Sequence, residues 1–356
     1  MRVGVVGTGP VGLGCAALLA SRGHEPVLWS PRAAPRGASR RIEAVGLFAW
    51  RGDVRVAREA PELTGCEAIV ICVLGAGHRA TFEALAPIVR DGQSVIISSH
   101  ASLGALYLSR LVAARGVAAP VIAWSTTLTG GPIIEGRVHV RLLRGEIDLA
   151  AVPASGLDAA TMLCRALFDA RFTPRANLLA IALGNLNPPI HLAQALLNFT
   201  RIEQGEVWDN FGCVTAGVGR LIEALDAERL AVARAFGVEV RTAREHYLKS
   251  FPDLVAGSVA EMAAQVAAQR KGSSPGPARV DTRYVTEDIP FGIHPVIALA
   301  KIAGVPTPLH AAGLAVMSAV YGRDLAADND LLPRIGLEGV SRDGLLALAT
   351  RGWGAA

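Results

Sequence analysis

Lysine is almost missing from this chain. Of its 35 lysines and arginines, only Lys249, Lys271 and Lys301 are lysines, so none stands before residue 249. That absence removes amine-based acid–base or Schiff-base chemistry from the N-terminal two thirds. Charge is sparse as well: 19% of residues are charged against 51% hydrophobic, which excludes a disordered chain. The net charge is only +4, and no basic run with interleaved aromatics occurs, so a nucleic-acid partner is not expected. The five cysteines (Cys15, Cys66, Cys72, Cys164 and Cys213) are odd in number and form no C-x-x-C pair. They suit neither a disulfide framework nor a metal site, and they fit a reduced, cytoplasmic protein. Arg2 precedes an apolar run that resembles a leader, but glycines interrupt it, and no later run is long enough to span a membrane.

What is present begins with Met1–Val6, a short β-rich run, followed by Gly7-Thr-Gly9-Pro10-Val11-Gly12 and a helical pattern to about Arg22. In such a turn the first glycine makes the bend. The second lets a pyrophosphate approach the backbone, and the third brings helix against strand. A second strand, Glu25–Trp29, follows at βαβ spacing, so the motif reads as a dinucleotide site and not as a chance glycine turn. An enzyme using NAD would carry an acid at the end of that strand. Here the chain reads Trp29-Ser30-Pro31-Arg32, with Arg36, Arg40 and Arg41 close behind. A hydroxyl and guanidinium groups suit a 2′-phosphate, which favours NADP(H) over NAD(H). Ser30 and Arg32 carry that expectation; the later arginines read equally well as a solvated loop.

The alternation continues through strands at Ala68–Val73, Ser94–Ser98 and Val121–Ser125, with helices near Arg79–Val89 and Leu103–Arg115 between them. This is the pattern of an α/β, Rossmann-type doubly wound sheet with its ligand at the carboxyl ends of the strands. Leu74 and Gly75 should touch the cofactor, and the loops around Gly75, His100 and Thr126–Thr127 should face the nicotinamide. Val138–Leu143 and Ile147–Val152 read as a closing β-hairpin. At 356 residues the chain is long enough for two domains, expected at 1–155 and 156–356.

Beyond Leu157 the patterns are helical, over roughly 158–170, 177–184, 189–203, 215–236 and 240–268. Within them Asn185-Leu-Asn187-Pro188-Pro-Ile-His191 sets an imidazole in the first turn of a helix, with Asn187 as N-cap and Pro188 at the first helical position. The free N–H groups there attract anions, so a carboxylate docked beside His191 would meet a group able to exchange its proton. A lone histidine at a helix start more commonly just packs. A second segment, Arg283-Tyr-Val-Thr-Glu287-Asp288-Ile-Pro-Phe-Gly292, gathers a guanidinium, two acids and a turn. Asp288 is able to hold an imidazole N–H and Arg283 to clamp a carboxylate, although both acids also suit a helix start. Lys271-Gly-Ser-Ser-Pro-Gly-Pro277 has the composition of a surface linker or of a lid.

Gly184–His191, Glu223-Ala-Leu-Asp226-Ala-Glu228-Arg229 and Arg283–Pro290 together resemble the octopine/nopaline (opine) dehydrogenase family. The resemblance runs over nearly the whole chain and implies a nucleotide domain followed by an all-α opine dehydrogenase-like domain. It implies His191 and Asp288 as the catalytic pair and Arg283 as a ligand of the substrate carboxylate, with Asn187 and Thr126 as further substrate contacts. The implied reaction is NAD(P)H-dependent reductive condensation of an amino acid with a 2-oxo acid, through an imine, to a secondary amine dicarboxylate. No metal is required, and a homodimer is compatible with this reading. The chain departs from the family in Trp124-Ser-Thr126-Thr, where many relatives have a Glu-Thr pair, and in Leu192, where many have proline. The substrates therefore stay open. The alternatives are a ketopantoate reductase or other hydroxyacid dehydrogenase, which the missing lysine opposes, and a non-catalytic NADP(H)-binding regulatory protein.

Overall fold

The computed structural model describes residues 1–32, 37–270 and 274–353. The chain divides into two compact units. The first comprises Met1–Ala182, Leu331–Glu338 and the segment from Asp343 onward; the second comprises Leu183–Asp330 and Gly339–Arg342.

The first unit is built on an eleven-stranded sheet. Its strands are β1 (Arg2–Val6), β2 (Glu25–Trp29), β3 (Ser39–Gly46), β4 (Trp50–Val56), β5 (Ala68–Ile71), β6 (Ser94–Ile97), β7 (Val121–Trp124), β9 (Ile133–Ile134), β10 (Arg137–Val140), β12 (Glu146–Val152) and β13 (Arg171–Pro174). Two short strands, β8 (Thr129–Gly130) and β11 (Leu142–Leu143), pair with each other apart from it. The order across the sheet is β13-β12-β7-β6-β5-β1-β2-β4-β3-β10-β9. The central strands β7-β6-β5-β1-β2 are all parallel. Their residues are almost wholly buried, as a sheet covered on both faces requires. Helices α1 (Pro10–Ser21), α2 (His78–Leu85), α3 (Gly104–Ala113), α4 (Leu157–Phe168) and α5 (Leu178–Ala182) complete the unit. Its core gathers Val3, Val5, Leu19, Leu28, Ile96 and Trp124.

The second unit is helical. It holds α6 (Asn187–Leu197), α7 (Phe199–Glu203), α8 (Ala216–Ala235), α9 (Ala243–Ser250), α10 (Val259–Arg270), α11 (Arg283–Thr286), α12 (His294–Ala303) and α13 (Pro308–Tyr321). A last helix, α14 (Arg342–Arg351), returns to the first unit for most of its length. The helical unit has its own core around Leu192, Ile222, Met262, Ile289 and Met317. No helix among the described residues is long and apolar enough to cross a membrane.

The structure corrects four expectations. Val138–Leu143 and Ile147–Val152 do not form a hairpin: β10 pairs with β3 and β9, while β12 lies between β7 and β13. Six of the seven residues of β12 are buried, and burial on both faces is satisfied in the sheet interior, not at an edge. Strands also do not vanish after Leu157, because β13 adds to the sheet beyond α4. That strand carries the first unit on to Ala182, past the expected boundary at 155. Finally, the long helix expected over 240–268 is two helices separated at Phe251–Ser258, where Pro252 lacks the N–H a helix interior needs.

Candidate active site

In the first unit, the glycine turn has the local geometry of a phosphate cradle. Gly7 has φ of 120°, and a Cβ there would meet the Cys72 carbonyl oxygen at 2.7 Å. A Cβ on Gly12 would come within 2.0 Å of the Gly7 carbonyl oxygen, so α1 closes on the strand only with glycine at that position. Gly9 is different: nothing lies within 4 Å of its missing Cβ. Close approach is thus reserved on the side where a pyrophosphate would meet the backbone, and Pro10 and Val11 open the helix whose N-terminus faces it. A dinucleotide fits these residues.

The other expected cofactor residues follow the carboxyl ends of neighbouring strands. Ser30 and Arg32 follow β2, and Leu74 and Gly75 follow β5. The Arg32 backbone N–H donates to Ser30 Oγ at 3.4 Å, and its guanidinium donates to the Ala76 carbonyl at 3.1 Å. The ends of β2 and β5 are thereby tied together by an arginine where an enzyme using NAD would place an acid. Arg40 and Arg41 lie on β3, and Arg41 is paired with Asp53 at 3.0 Å. Arg36 lies outside the described residues. Thr126 sits half-buried in the turn after β7.

In the second unit, His191 and Asp288 meet. Nδ1 of the imidazole and Oδ2 of the carboxylate are 2.8 Å apart, and both side chains are more than four-fifths buried. With the carboxylate accepting, Nδ1 carries the ring proton and Nε2 is left to exchange one. The two segments are locked by a close approach: a Cβ on Gly292 would fall 2.2 Å from Pro188 Cγ, so the start of α6 packs directly on the backbone beyond Asp288. That backbone, Ile289–Ile293, is a single π turn, a form frequent at functional sites. The Pro290 carbonyl accepts from Asn329 Nδ2 at 2.8 Å.

Tyr284, to which the sequence reading gave no role, lies flat on His191. The ring centroids are 3.6 Å apart and the planes differ by 7°. Its hydroxyl donates to Asn210 Oδ1 at 3.2 Å, and the Asn210 carbonyl accepts from Gln194 Nε2 at 2.9 Å. Gln194 stands on α6 one turn beyond His191, so the ring is buttressed from its own helix. Burial, reinforced by the Asp288 charge, pushes the Tyr284 phenol up to about 12, and it stays a neutral donor. Four of the seven residues of the expected lid support the same corner. Asn210 N–H donates to the Ser274 carbonyl, Gly276 N–H donates to the Trp208 carbonyl, and Trp208 Nε1 donates to the Pro277 carbonyl at 2.9 Å. Ser274–Pro277 is therefore stitched down, while Lys271–Ser273 lies outside the described residues.

Behind the imidazole helix, Arg229 is fully buried. Its guanidinium binds Asp226 Oδ1 and the Leu183 carbonyl, and Asp226 Oδ2 accepts from Ala243 N–H at 2.7 Å. Asp226 and Arg229 thus anchor the chain just before the Gly184–Asn187 approach to α6.

Two details of the sequence reading shift. Asn187 is the first residue of α6 and not its cap; its N–H donates to Asn185 Oδ1 at 3.1 Å, and its exposed side chain makes no capping bond. His191 is consequently the fifth helical residue, just past the first turn. Arg283 is two-thirds exposed and paired through Nε with Glu287, one turn along α11, and is not drawn into the His191–Asp288 contact. Among the described residues no cluster of three or more His, Cys, Asp or Glu side chains is placed to hold a metal ion.

The chain is similar to several known proteins. Residues 174–321 match a family model described as NAD/NADP octopine/nopaline dehydrogenase, alpha-helical domain. An opine dehydrogenase from Arthrobacter sp. (strain 1C) is 28% identical over 353 residues, covering 96% of each chain. An octopine dehydrogenase structure with NADH and L-arginine is similar in fold, with a TM-score of 0.78 at 19% identity over 98% of both chains. A yersinopine dehydrogenase structure with NADP+ bound follows, with a TM-score of 0.70 at 16% identity over 98% of both chains.

Proposed function

We propose that this chain is a member of the octopine/nopaline dehydrogenase family and uses NADPH to condense an amino acid reductively with a 2-oxo acid. The observation that carries the reading is the buried His191–Asp288 pair at 2.8 Å with Tyr284 stacked on its imidazole. Bound NAD(P)H supplies the hydride.

The chain's own groups handle protons and orientation. The amine and the 2-oxo acid carbonyl lose water to form an imine, whose carbon becomes electrophilic once the nitrogen is protonated. His191 exchanges that proton at Nε2, while Asp288 holds Nδ1–H and stabilises the imidazolium as it forms. Tyr284 and the Gln194–Asn210 brace fix the plane of the ring, so that Nε2 keeps one direction. Arg283 takes a substrate carboxylate, exchanging Glu287 for it, with Asn187 as a further polar contact. Gly7, Gly9, Pro10, Val11 and Gly12 hold the pyrophosphate. Ser30 and Arg32 take a 2′-phosphate in preference to a bare ribose.

Cofactor oxidation measured over a grid of amino acids against pyruvate, 2-oxoglutarate and glyoxylate tests this. Oxidation requiring both an amine and a 2-oxo acid is expected. Oxidation at full rate with a 2-oxo acid alone would make the chain a hydroxyacid dehydrogenase, and none with any pair would leave a non-catalytic nucleotide-binding protein.

A further inference from the structure

The turn after β6 concentrates backbone strain around one buried imidazole. Ser99, Ser102 and Leu103 have φ of 68°, 48° and 55°, angles that residues with a Cβ rarely adopt. Between them His100 is only 3% exposed. Its backbone N–H donates to the Trp124 carbonyl at the end of β7, at 2.9 Å. Its ring Nε2 accepts from the Ala105 N–H at the start of α3, at 3.2 Å. A ring nitrogen that accepts carries no proton, so the proton of the neutral ring sits on Nδ1. Nδ1 is buried and has no hydrogen-bond partner among the described residues. Burial, with His78 adding to it, pushes the His100 pKa down to about 3. The ring is therefore a neutral donor throughout the working pH range.

A buried donor without an acceptor is unfavourable, and one held in a strained turn points to a ligand that completes it. The topology says which part of a ligand reaches it. Ser30 and Arg32 follow β2, on one side of the β1 glycine turn; β5 and then β6 lie on the other. At about 4.8 Å per strand, the end of β6 is roughly 10 Å from the pyrophosphate cradle, on the side away from the adenosine end. The nicotinamide half of a dinucleotide extends that way, and its carboxamide oxygen is an acceptor. We infer that His100 is a cofactor-positioning residue whose Nδ1–H donates to the nicotinamide carboxamide oxygen. The bond fixes the rotation of the nicotinamide ring and thereby the face from which hydride leaves. This rests on the nucleotide-binding part of the proposed function.

Two substitutions separate this role from a structural one. His100→Gln carries an amide group to the Nε2 position, where it accepts from Ala105 N–H, and removes the Nδ1 donor. His100→Asn places an amide N–H at the Nδ1 position and gives up the bond to Ala105. Calorimetric titration would compare NADP+ with 2′-phospho-ADP-ribose, which lacks the nicotinamide, and NAD+ with ADP-ribose in parallel. His100→Gln is expected to weaken the full dinucleotide about three- to tenfold and leave the fragment unchanged. His100→Asn is expected to keep the wild-type ratio between the two, even with a lower melting temperature. Equal weakening of dinucleotide and fragment in His100→Gln would reduce His100 to a structural residue and overturn the inference. So would a His100→Gln protein that binds both as the wild type does. A wild-type chain that bound neither ligand would instead remove the nucleotide reading itself, which keeps the two failures apart.

Discussion

His191 and Asp288, 97 residues apart in sequence, share a hydrogen bond of 2.8 Å. The contact makes one unit of an imidazole and a carboxylate. Replacing His191 with Ala should lower turnover by roughly 10²–10⁴-fold, the usual worth of one general acid–base group. Asp288→Asn should cost a similar amount, and the double variant little more than either alone, because residues acting as a unit are not additive. Steady-state kinetics on the three proteins check this, with cofactor affinity expected to stay near wild type. Multiplying losses would show two independent roles.

Tyr284 offers a finer test, since its ring and its hydroxyl do different things. Tyr284→Phe keeps the stack and loses only the bond to Asn210, so turnover should fall by a few-fold at most, the cost of one neutral hydrogen bond. Tyr284→Leu removes the flat surface that orients the imidazole and should lower kcat by at least about tenfold, because small misplacements of a catalytic group are costly. The pH profile of kcat should shift in Tyr284→Leu and hold in Tyr284→Phe. Equal effects of the two variants would assign the role to the hydroxyl.

Arg32 closes the end of β2 where an acid would select NAD. Arg32→Ser should weaken NADPH roughly ten- to hundredfold and NADH far less, as expected for loss of a charge-assisted bond to a 2′-phosphate. Comparison of kcat/KM for the two cofactors in wild type and variant reads this directly. Equal kcat/KM for both in the wild type would end the assignment.

Arg229 is buried against Asp226 and carries the Leu183 carbonyl. Arg229→Leu leaves the Asp226 charge without its partner in the helical unit. The expected cost is about 3–5 kcal/mol, the usual result of breaking one half of a buried pair. Urea unfolding should show this as a lowered midpoint with an unchanged slope.

Stability should fall in mild acid. His100, His294 and His310 all have their pKa lowered, chiefly by burial, with Glu228 opposing the shift at His310. The unfolded chain takes up these protons near pH 6.5 while the folded chain resists, so stability is full above that pH and drains as it drops. The buried His100 and His310 each cost up to about 1.4 kcal/mol per pH unit until the folded pKa is reached, and the half-buried His294 adds less because solvent screens it. For His100 that loss runs from about 6.5 down to about 3. Melting temperatures from pH 7.5 to 5 should decline steadily; a flat profile would contradict the buried, neutral state of these rings.

Much of the fold was legible because its signals are local. The glycine turn, the buried strands β1, β5, β6 and β7, and the periodic helix α8 each announce themselves within a short window. So did the His191 and Asp288 segments, whose prolines, acids and turns sit close together. What was not legible depends on distant partners. The β3–β4 hairpin hides in an arginine-rich stretch in which just Ile42, Ala44 and Val54 are buried on those two strands. The placement of β10 beside β3 and of β12 beside β7 is a choice between non-local registers that alternation alone cannot make. Tyr284 stood in plain view next to Arg283, yet its stacking on His191 exists only once α6 and α11 are packed. Arg283 shows the converse, since a residue five positions before Asp288 turns outward and pairs with Glu287.

The central claim is imine reduction, and the fate of a labelled hydride tests it most directly. NADPH deuterated at the transferring position, an amino acid and a 2-oxo acid would be incubated with the wild-type chain and the product analysed by mass spectrometry. The account predicts a secondary amine dicarboxylate with one deuterium on the former keto carbon, and a rate reduced at least about a hundredfold in His191→Ala. A deuterated 2-hydroxy acid, formed at the same rate without the amine, would contradict it.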